Sequence, residues 1–547
     1  MSKLNTGGTT PLGPIGLITF SASGAWAVSE FHTYFDTQVF WLPTLALVMA
    51  LAAPVAFARG ALDFAAGQVR KAIAYMPSTR HGSARWAKLA DFAGLRKRRR
   101  APFWGMLDGK PLFLEYEANA LTCAPAGSGK TVSVVVPNLL SIDTSVIAPD
   151  LKCELAPMTK RARQRMGQRV YCLNPSRTNI DILGEPDAYN PLVILLDGWT
   201  KSRADMLADA AAMALQLYPE PARAGENRFF RNGSRNLITF VMIWEVIEKG
   251  ELATLSGCLR LLRDPSQLRE ALYASSVCDE LGGDLADLAN DILAKFDDGA
   301  DNRQFESFRE GAVQALSIFA SSGRIADSVS RCTFRFRDLK ADPATVFIIG
   351  DPTRSQVYAP WMGLVIWCAA TELVRCRSKT VVTCLLDEAA NYKIDGLPAF
   401  LTQHRGFGVR YHIILQELED WKRLYGPEAL ETLLSQTEIQ QFFSSRSPGT
   451  LEMLSRRAGQ STVKTDGYSF QRGQAHPGCS VGETGRALIT SDEISRLADC
   501  LVFAHGKAPA LAQRVGYHEI SPWNRPGVVG INPLHGKRLK GRTRLRL

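Results

Sequence analysis

The sequence predicts an α/β fold built on a mostly parallel, doubly wound sheet, with an inserted all-α domain and an N-terminal pair of membrane-spanning helices. Three observations predict it. Short, almost continuously apolar runs alternate with helical stretches in two separated parts of the chain, the pattern of strands buried on both faces of a parallel sheet. Between those parts, about residues 195–325 carry Ala, Leu, Arg, Asp and Glu at helical spacing, as in "SRADMLADAAAMALQLY" and "LADLANDILAKF". Ahead of both, two uncharged segments are each long enough to cross a bilayer as a helix.

Taken in chain order, the first uncharged segment covers residues 4–29 and the second residues 37–58, with the acidic loop "EFHTYFD" between them. The second, containing "VFWLPTLALVMALAAPVAFA", is the more apolar, and Trp26, Phe31, Tyr34, Phe35, Phe40 and Trp41 crowd around the loop as an interfacial aromatic belt. The loop has no Lys or Arg, whereas Arg59, Arg70, Lys71, Arg80 and the run Arg96–Arg100 follow the second segment. By the positive-inside rule both ends are cytoplasmic and the anchor is a two-pass hairpin. A cleaved signal peptide ending at "SASGAWA" is the alternative.

The strands follow as "ALTCA" (120–124), "TSVIAPD" (144–150), "RVYCLN" (169–174), "ATVFIIGD" (344–351), "VVTCLLD" (381–387), "RYHIILQ" (410–416), "IQQFFSS" (439–445) and "CLVFAHG" (500–506). The expected organisation is an anchor at 1–62, a first part of the nucleotide-binding domain at 63–194, the all-α insert at 195–325, a second part at 326–520 and a basic tail at 521–547.

Composition agrees with a folded, multidomain chain: 547 residues correspond to roughly three domains, and 46% of residues are apolar. The net charge of +10 is uneven, because Lys537, Arg538, Lys540, Arg542, Arg544 and Arg546 all lie in the tail. That balance points to an anionic partner. The run Arg96–Arg100 and the tail are open to three readings: a solvated face, contact with anionic lipid headgroups, or contact with nucleic-acid phosphates. Eleven cysteines without a CxxC pair argue against both a disulfide framework and a zinc site, and fit a reducing cytoplasm.

The chemistry concentrates at two points. Ala124, Pro125, Ala126, Gly127, Ser128, Gly129, Lys130 and Thr131 form a phosphate-binding loop between a strand and an apolar helix, with Ala in place of the usual first Gly. In such a loop backbone N–H groups converge on the phosphates of ATP, the lysine reaches the β and γ oxygens, and the hydroxyl of Thr131 ligates Mg²⁺. A partner carboxylate pair is then required at the end of a neighbouring strand, and "VVTCLLDEAAN" supplies Asp387 for Mg²⁺ and Glu388 to orient and deprotonate the hydrolytic water. Helix capping by Asp387-Glu388 is the plainer alternative.

These features, with "HGSARWAKLADF" (81–92), "APDLKCEL" (148–155), "YNPL" (189–192), "LLDEAANYKIDGLPAFLTQHRGFGVRYHIILQ" (385–416) and "GRALITSDEISRL" (485–497), resemble the coupling proteins of type IV secretion and conjugation. The resemblance covers about residues 10–520. It implies a RecA-like ATPase in the bacterial inner membrane, assembled as a homo-hexameric ring. Such a protein recruits relaxase-bound single-stranded DNA or secreted effector proteins and feeds them to the channel components of a type IV secretion system. It also implies that the helical insert takes part in substrate recognition, that Gln416 senses the γ-phosphate, and that Arg405 is an arginine finger reaching a neighbouring subunit's nucleotide. Two departures from the family pattern are Cys153, where Gly is common, and Ala389-Ala390, where bulkier residues are common. A cell-division-type membrane DNA translocase and a substrate adaptor with nucleotide-driven assembly are the other functional readings; nothing after residue 507 has the length of the former's C-terminal winged-helix module.

Overall fold

The computed structural model describes residues 42–74, 79–97, 100–220, 228–296, 303–469 and 478–547. These form two compact units, one made of Ala84–Gly459 with Ala487–Leu547, the other of the chain up to Ser83 with Gln460–Arg486.

The larger unit is organised by nine strands. In chain order they are β3 (Asn119–Cys123), β4 (Ser145–Asp150), β5 (Arg169–Leu173), β6 (Ala344–Ile349), β7 (Val382–Leu386), β8 (Val409–Leu415), β9 (Thr437–Phe442), β12 (Cys500–Ala504) and β13 (Ala510–Ala512). The hairpin β1 (Phe103–Leu107) and β2 (Lys110–Phe113) precedes them. Their spatial order is β13-β12-β9-β3-β8-β7-β4-β6-β5. The seven strands from β9 to β5 are parallel, while β12 runs antiparallel to β9 and β13 antiparallel to β12. Each strand candidate read from the sequence is present, and the mostly parallel sheet is the one expected.

Alternation along the strands divides the core in two. Leu121, Cys123, Ile147, Val346 and Ile348 face one apolar cluster, with Ala120, Val146, Ala148, Phe347 and Ile349 facing the other. The period of two along a strand forces this split, so both faces need helical cover. On the first face lie the helices Met206–Leu217, Arg228–Lys249 and Ser355–Arg375. The second face is covered by the helices Val136–Ser141 and Leu155–Arg165 together with the β1–β2 hairpin. The apolar helix Ser355–Arg375 has the length of a membrane span, but 72% of it is buried as a core helix of this fold.

Between β5 and β6 the described chain forms no strand and runs through helices that include Val193–Lys201, Met206–Leu217, Arg228–Lys249, Leu255–Arg263, Pro265–Ser275, Asp284–Phe296 and Arg303–Leu316. Thr254 and Asp264 cap two of these, each side-chain oxygen accepting from the backbone N–H groups of the first turn.

The fully buried Arg163 anchors the helix that follows the phosphate-binding loop. Its guanidinium donates to the carbonyls of Leu139 (3.1 Å) and Thr144 (2.9 Å), to Thr345 Oγ1 (2.8 Å) and to Gln168 Oε1 (2.7 Å). A cation placed at the last carbonyls of that helix also complements its dipole.

The basic tail is ordered. Leu545–Arg546 pairs in parallel with Ile520–Ser521, and Leu545, Trp523 and Val529 are buried in the second core. Gly530 N donates to the Met158 carbonyl at 2.8 Å and Asn532 Nδ2 to Glu154 Oε2 at 2.9 Å. Lys537, Lys540, Arg542, Arg544 and Arg546 stay exposed on this packed backbone.

In the smaller unit, helix Leu42–Ala74 contains the stretch Val48–Ala66, with mean hydropathy 1.5 and no buried share, long and apolar enough to cross a membrane. The first uncharged segment and its aromatic belt lie outside the described residues. The same unit holds a two-stranded ribbon, β10 (Gln460–Ser469) and β11 (Gly478–Ala487), which the sequence pattern did not announce. Gly82, in the "HGSARW" motif, meets it at φ +148°, where an added Cβ would stand 2.1 Å from the Gln460 carbonyl oxygen. Only glycine fits that approach.

Two buried imidazoles make the larger unit acid-sensitive. His412 Nε2 lies 2.9 Å from the Thr122 hydroxyl, and His404 Nδ1 lies 2.8 Å from the Tyr411 hydroxyl. Burial holds both below their ordinary value, His412 down to about 3 and His404 to about 4. The unfolded chain protonates both near pH ~6.5, so the stability they contribute is complete above that pH and is lost as pH falls toward 3–4. The melting temperature of the full chain in detergent should therefore drop between pH 7 and pH 5, and His412→Gln should make the drop shallower.

Candidate nucleotide-binding site

The site forms where the carboxyl ends of β3, β8, β7 and β4 meet. After β3 the chain turns through Ala124–Thr131 into a π-helical turn, Thr131–Val135, continued by the helix Val136–Ser141. Gly127 and Gly129 adopt φ +77° and +84°, and nothing lies within 4 Å of where a Cβ would stand on either. The glycines are therefore needed for conformation, and the space above them is open for an anion. Ser133 N and Oγ both donate to the Gly129 carbonyl at 2.9 Å, closing the turn. Among the described residues the buried Ser128 hydroxyl has no hydrogen-bond partner. An open glycine cradle with an unmet hydroxyl fits a phosphate group.

Lys130 is buried and its ammonium lies between two carboxylates, 3.2 Å from Asp387 Oδ1 and 3.1 Å from Glu388 Oε1. Asp387 and Glu388 follow β7, two strands away from β3 across β8. The sheet thus brings together the two motifs that the sequence keeps 257 positions apart. Burial holds the Asp387 carboxyl above its ordinary value although Lys130 pulls it down. For Glu388 burial also pushes up, but Lys130 and Lys152 together outweigh it and the carboxyl lies below its ordinary value. Glu388 has φ +51°, a left-handed conformation for a residue with a Cβ, and such strain collects at functional sites.

Gln416 follows β8, directly beside the loop: Leu415 O accepts from Ala124 N at 2.9 Å, and Gln416 O accepts from Cys123 Sγ at 3.6 Å. Arg405 is not brought into this cluster. It lies in the turn His404–Phe407 before β8, at the amino edge of the parallel sheet, about 20 Å of strand away at ~3.3 Å per residue. There its guanidinium donates to Glu117 Oε2 at 2.7 Å and lies 3.8 Å from Glu438 Oε1.

Three further residues enter the site. Lys152 Nζ lies 3.2 Å from Glu388 Oε1, Asn391 Nδ2 donates to Glu388 Oε2 at 2.8 Å, and Arg514 Nη1 donates to the Ser128 carbonyl at 2.7 Å. Lys152 and Asn391 lie inside the motifs "APDLKCEL" and "LLDEAAN", so their neighbourhood was legible. Arg514 carries no local signal; the antiparallel end of the sheet delivers it from 384 positions beyond Lys130.

Comparison with known proteins gives the family. The family model for the type IV secretory system, conjugative DNA transfer, matches residues 82–529. The chain belongs to that family. Protein VirD4 of Rhizobium radiobacter is 25% identical over 524 residues, covering 92% of this chain and 71% of the relative. The conjugal transfer protein TraG of Escherichia coli is 25% identical over 521 residues, covering 84% and 76%. Among solved structures, the plasmid coupling protein TrwB in complex with a non-hydrolysable ATP analogue is 17% identical with a TM-score of 0.53, covering 80% of this chain and 95% of TrwB. TrwB with ADP and Mg²⁺ gives 0.52 at 16% identity, covering 79% and 93%. The fold of this family member is accordingly the RecA-like one.

Cys153, the departure from the family pattern, stands where the backbone favours glycine. Its φ is +52°, the conformation in which glycine carries no penalty and other residues lose roughly 1–2 kcal/mol. The side chain is fully buried, with Sγ near the Thr178 carbonyl at 3.6 Å. Cys153→Ala should lose the sulfur contacts and keep the strain, whereas Cys153→Gly sheds both. Denaturant melts should find the Gly variant more stable than the Ala variant by about 1 kcal/mol, reversing the order usual in regular structure.

Proposed function

We propose that the chain is an inner-membrane ATPase that recruits relaxase-bound single-stranded DNA or secreted proteins and delivers them to a type IV secretion channel, working as a homo-hexamer with both chain ends in the cytoplasm. One observation carries the reading: a buried phosphate-loop lysine shared between two strand-end carboxylates, in a member of the conjugative DNA transfer family. The apolar stretch Val48–Ala66 and the VirD4 and TraG relatives support the membrane location.

The groups that would be held are ATP and Mg²⁺. The loop Ala124–Thr131 would bind the phosphates, Lys130 would neutralise the β and γ oxygens, and Thr131 with Asp387 would hold the metal, which would supply charge neutralisation at the transferring phosphoryl group. Glu388 takes one proton of the attacking water as that water's oxygen bonds to the γ-phosphorus and the bond to the β-bridging oxygen breaks. Gln416, on the strand between the loop and the carboxylates, senses the γ-phosphate. Arg405 serves the next subunit in this reading, which its distance from the chain's own phosphate loop and its exposed position beside Glu117 support.

Lys130→Ala should reduce ATP hydrolysis by several orders of magnitude while membrane insertion is retained, and it should lower the melting temperature because Asp387 and Glu388 lose their shared cation; near-normal turnover would overturn the assignment. Wild-type hydrolysis should rise on adding single-stranded DNA. Arg405→Ala should bind ATP normally and hydrolyse it poorly, by about 10³-fold or more if it resembles other fingers supplied in trans. Mixed oligomers of Arg405→Ala and Lys130→Ala chains should recover part of the activity, because some interfaces pair an intact loop with an intact finger. Absence of recovery in verified mixed oligomers would show that Arg405 acts elsewhere.

A further inference from the structure

The Glu388 carboxylate is held by more than the phosphate-loop lysine. Lys130 and Lys152 both reach Oε1, at 3.1 and 3.2 Å, while Asn391 donates to Oε2. The two lysines differ in surroundings: the Lys130 side chain is 10% exposed and Lys152 47% exposed. An ordinary surface pair contributes almost nothing because both partners keep their water. Here one partner, Glu388, is buried, and a buried carboxylate deprived of its cation is costly.

The loop that carries Lys152 is fastened by hydrogen bonds on both sides of it. Asp150, at the end of β4, accepts from Glu154 N through Oδ1 and from Ala156 N through Oδ2, both at 2.9 Å, and its carbonyl accepts from Cys153 N at 3.3 Å and Gly350 N at 3.0 Å. Asn179 Nδ2 donates to the Cys153 carbonyl at 3.2 Å, holding the left-handed residue that follows Lys152. One ion pair thus involves two left-handed non-glycine residues, Glu388 as its acidic partner and Cys153 next to Lys152. Backbone strain persists where surrounding bonds over-determine it.

The consequence follows from competition for Lys130. A phosphate group in the glycine loop draws the Lys130 ammonium toward its oxygens, and Oε1 of Glu388 then loses one of its two cations. We infer that Lys152 is a positioning residue: it retains the Glu388 carboxylate at the nucleotide edge of the sheet while Lys130 is engaged by phosphate. The inference rests on Glu388 being the base that receives the water proton. Lys152 itself touches neither water nor phosphate in this role.

The test uses the full chain in detergent, with steady-state kinetics and, separately, equilibrium binding of a fluorescent ATP analogue. Lys152→Met removes the charge and keeps the stem. It should lower kcat about tenfold to a hundredfold, the scale of a misplaced reacting group, with KM and analogue affinity within about twofold of wild type. Lys152→Arg, which restores a cation, should recover most of kcat. Unchanged kcat in Lys152→Met overturns the inference. So does a loss of analogue affinity as large as the loss of kcat, which would make Lys152 a phosphate ligand. Glu388→Gln separates the two readings: if it still hydrolyses ATP, the assignment of the base falls; if it is inactive while Lys152→Met is normal, only the role of Lys152 falls.

Discussion

The ammonium of Lys130, set between Asp387 and Glu388, is the interaction on which the rest of the site depends. Two buried carboxylates on consecutive residues repel each other and each loses hydration, so neither is tolerable without a cation. Lys130 and Lys152 supply two positive charges against two negative ones. Removing one member of a buried pair leaves the other uncompensated at roughly 3–5 kcal/mol. The strand order β3-β8-β7 is what sets the spacing of these charges.

A parallel sheet gives its two edges different chemistry. At the carboxyl edge, loops follow strands, and a glycine-rich turn leads into a helix whose first N–H groups point outward. The amino edge carries a different set of ion pairs, with Arg405 against Glu117 and Glu438, and Arg410 against Glu115. These exposed pairs contribute little to stability. Their arginines are held at the edge of the sheet away from the chain's own phosphate loop.

Elements distant in sequence buttress the nucleotide edge. Arg163 binds the end of the phosphate-loop helix from inside the core, and Arg514 holds the Ser128 carbonyl from the antiparallel extension of the sheet while its guanidinium stacks 5.0 Å from the Phe443 ring. The basic tail closes the second face by burying Trp523, Val529 and Leu545. Its basic side chains remain in solvent while Trp523, Val529 and Leu545 carry the packing, so a run of arginines is compatible with an ordered segment.

Much of this protein was legible in the linear chain. Apolar runs of strand length named the strands, because a parallel strand buried on both faces tolerates almost no polar residue; the phosphate loop and the Asp-Glu pair were legible because their chemistry needs particular residue types at adjacent positions. The helical insert announced itself by its period. What the chain could not state was which distant groups meet. Lys152 reaches Glu388 only because β4 lies next to β7, Arg514 reaches Ser128 only because β12 and β13 extend the sheet beyond β9, and the need for an unusual backbone at Cys153 appears only when its φ is seen. The ribbon Gln460–Ser469 with Gly478–Ala487 escaped notice because its strands are polar and glycine-containing, without the apolar alternation that marks a half-buried strand. Local periodicity and motif spacing are properties of neighbouring residues, whereas strand order is decided by how the whole chain buries its apolar surface, and that burial determines which charges come within 3.2 Å of each other.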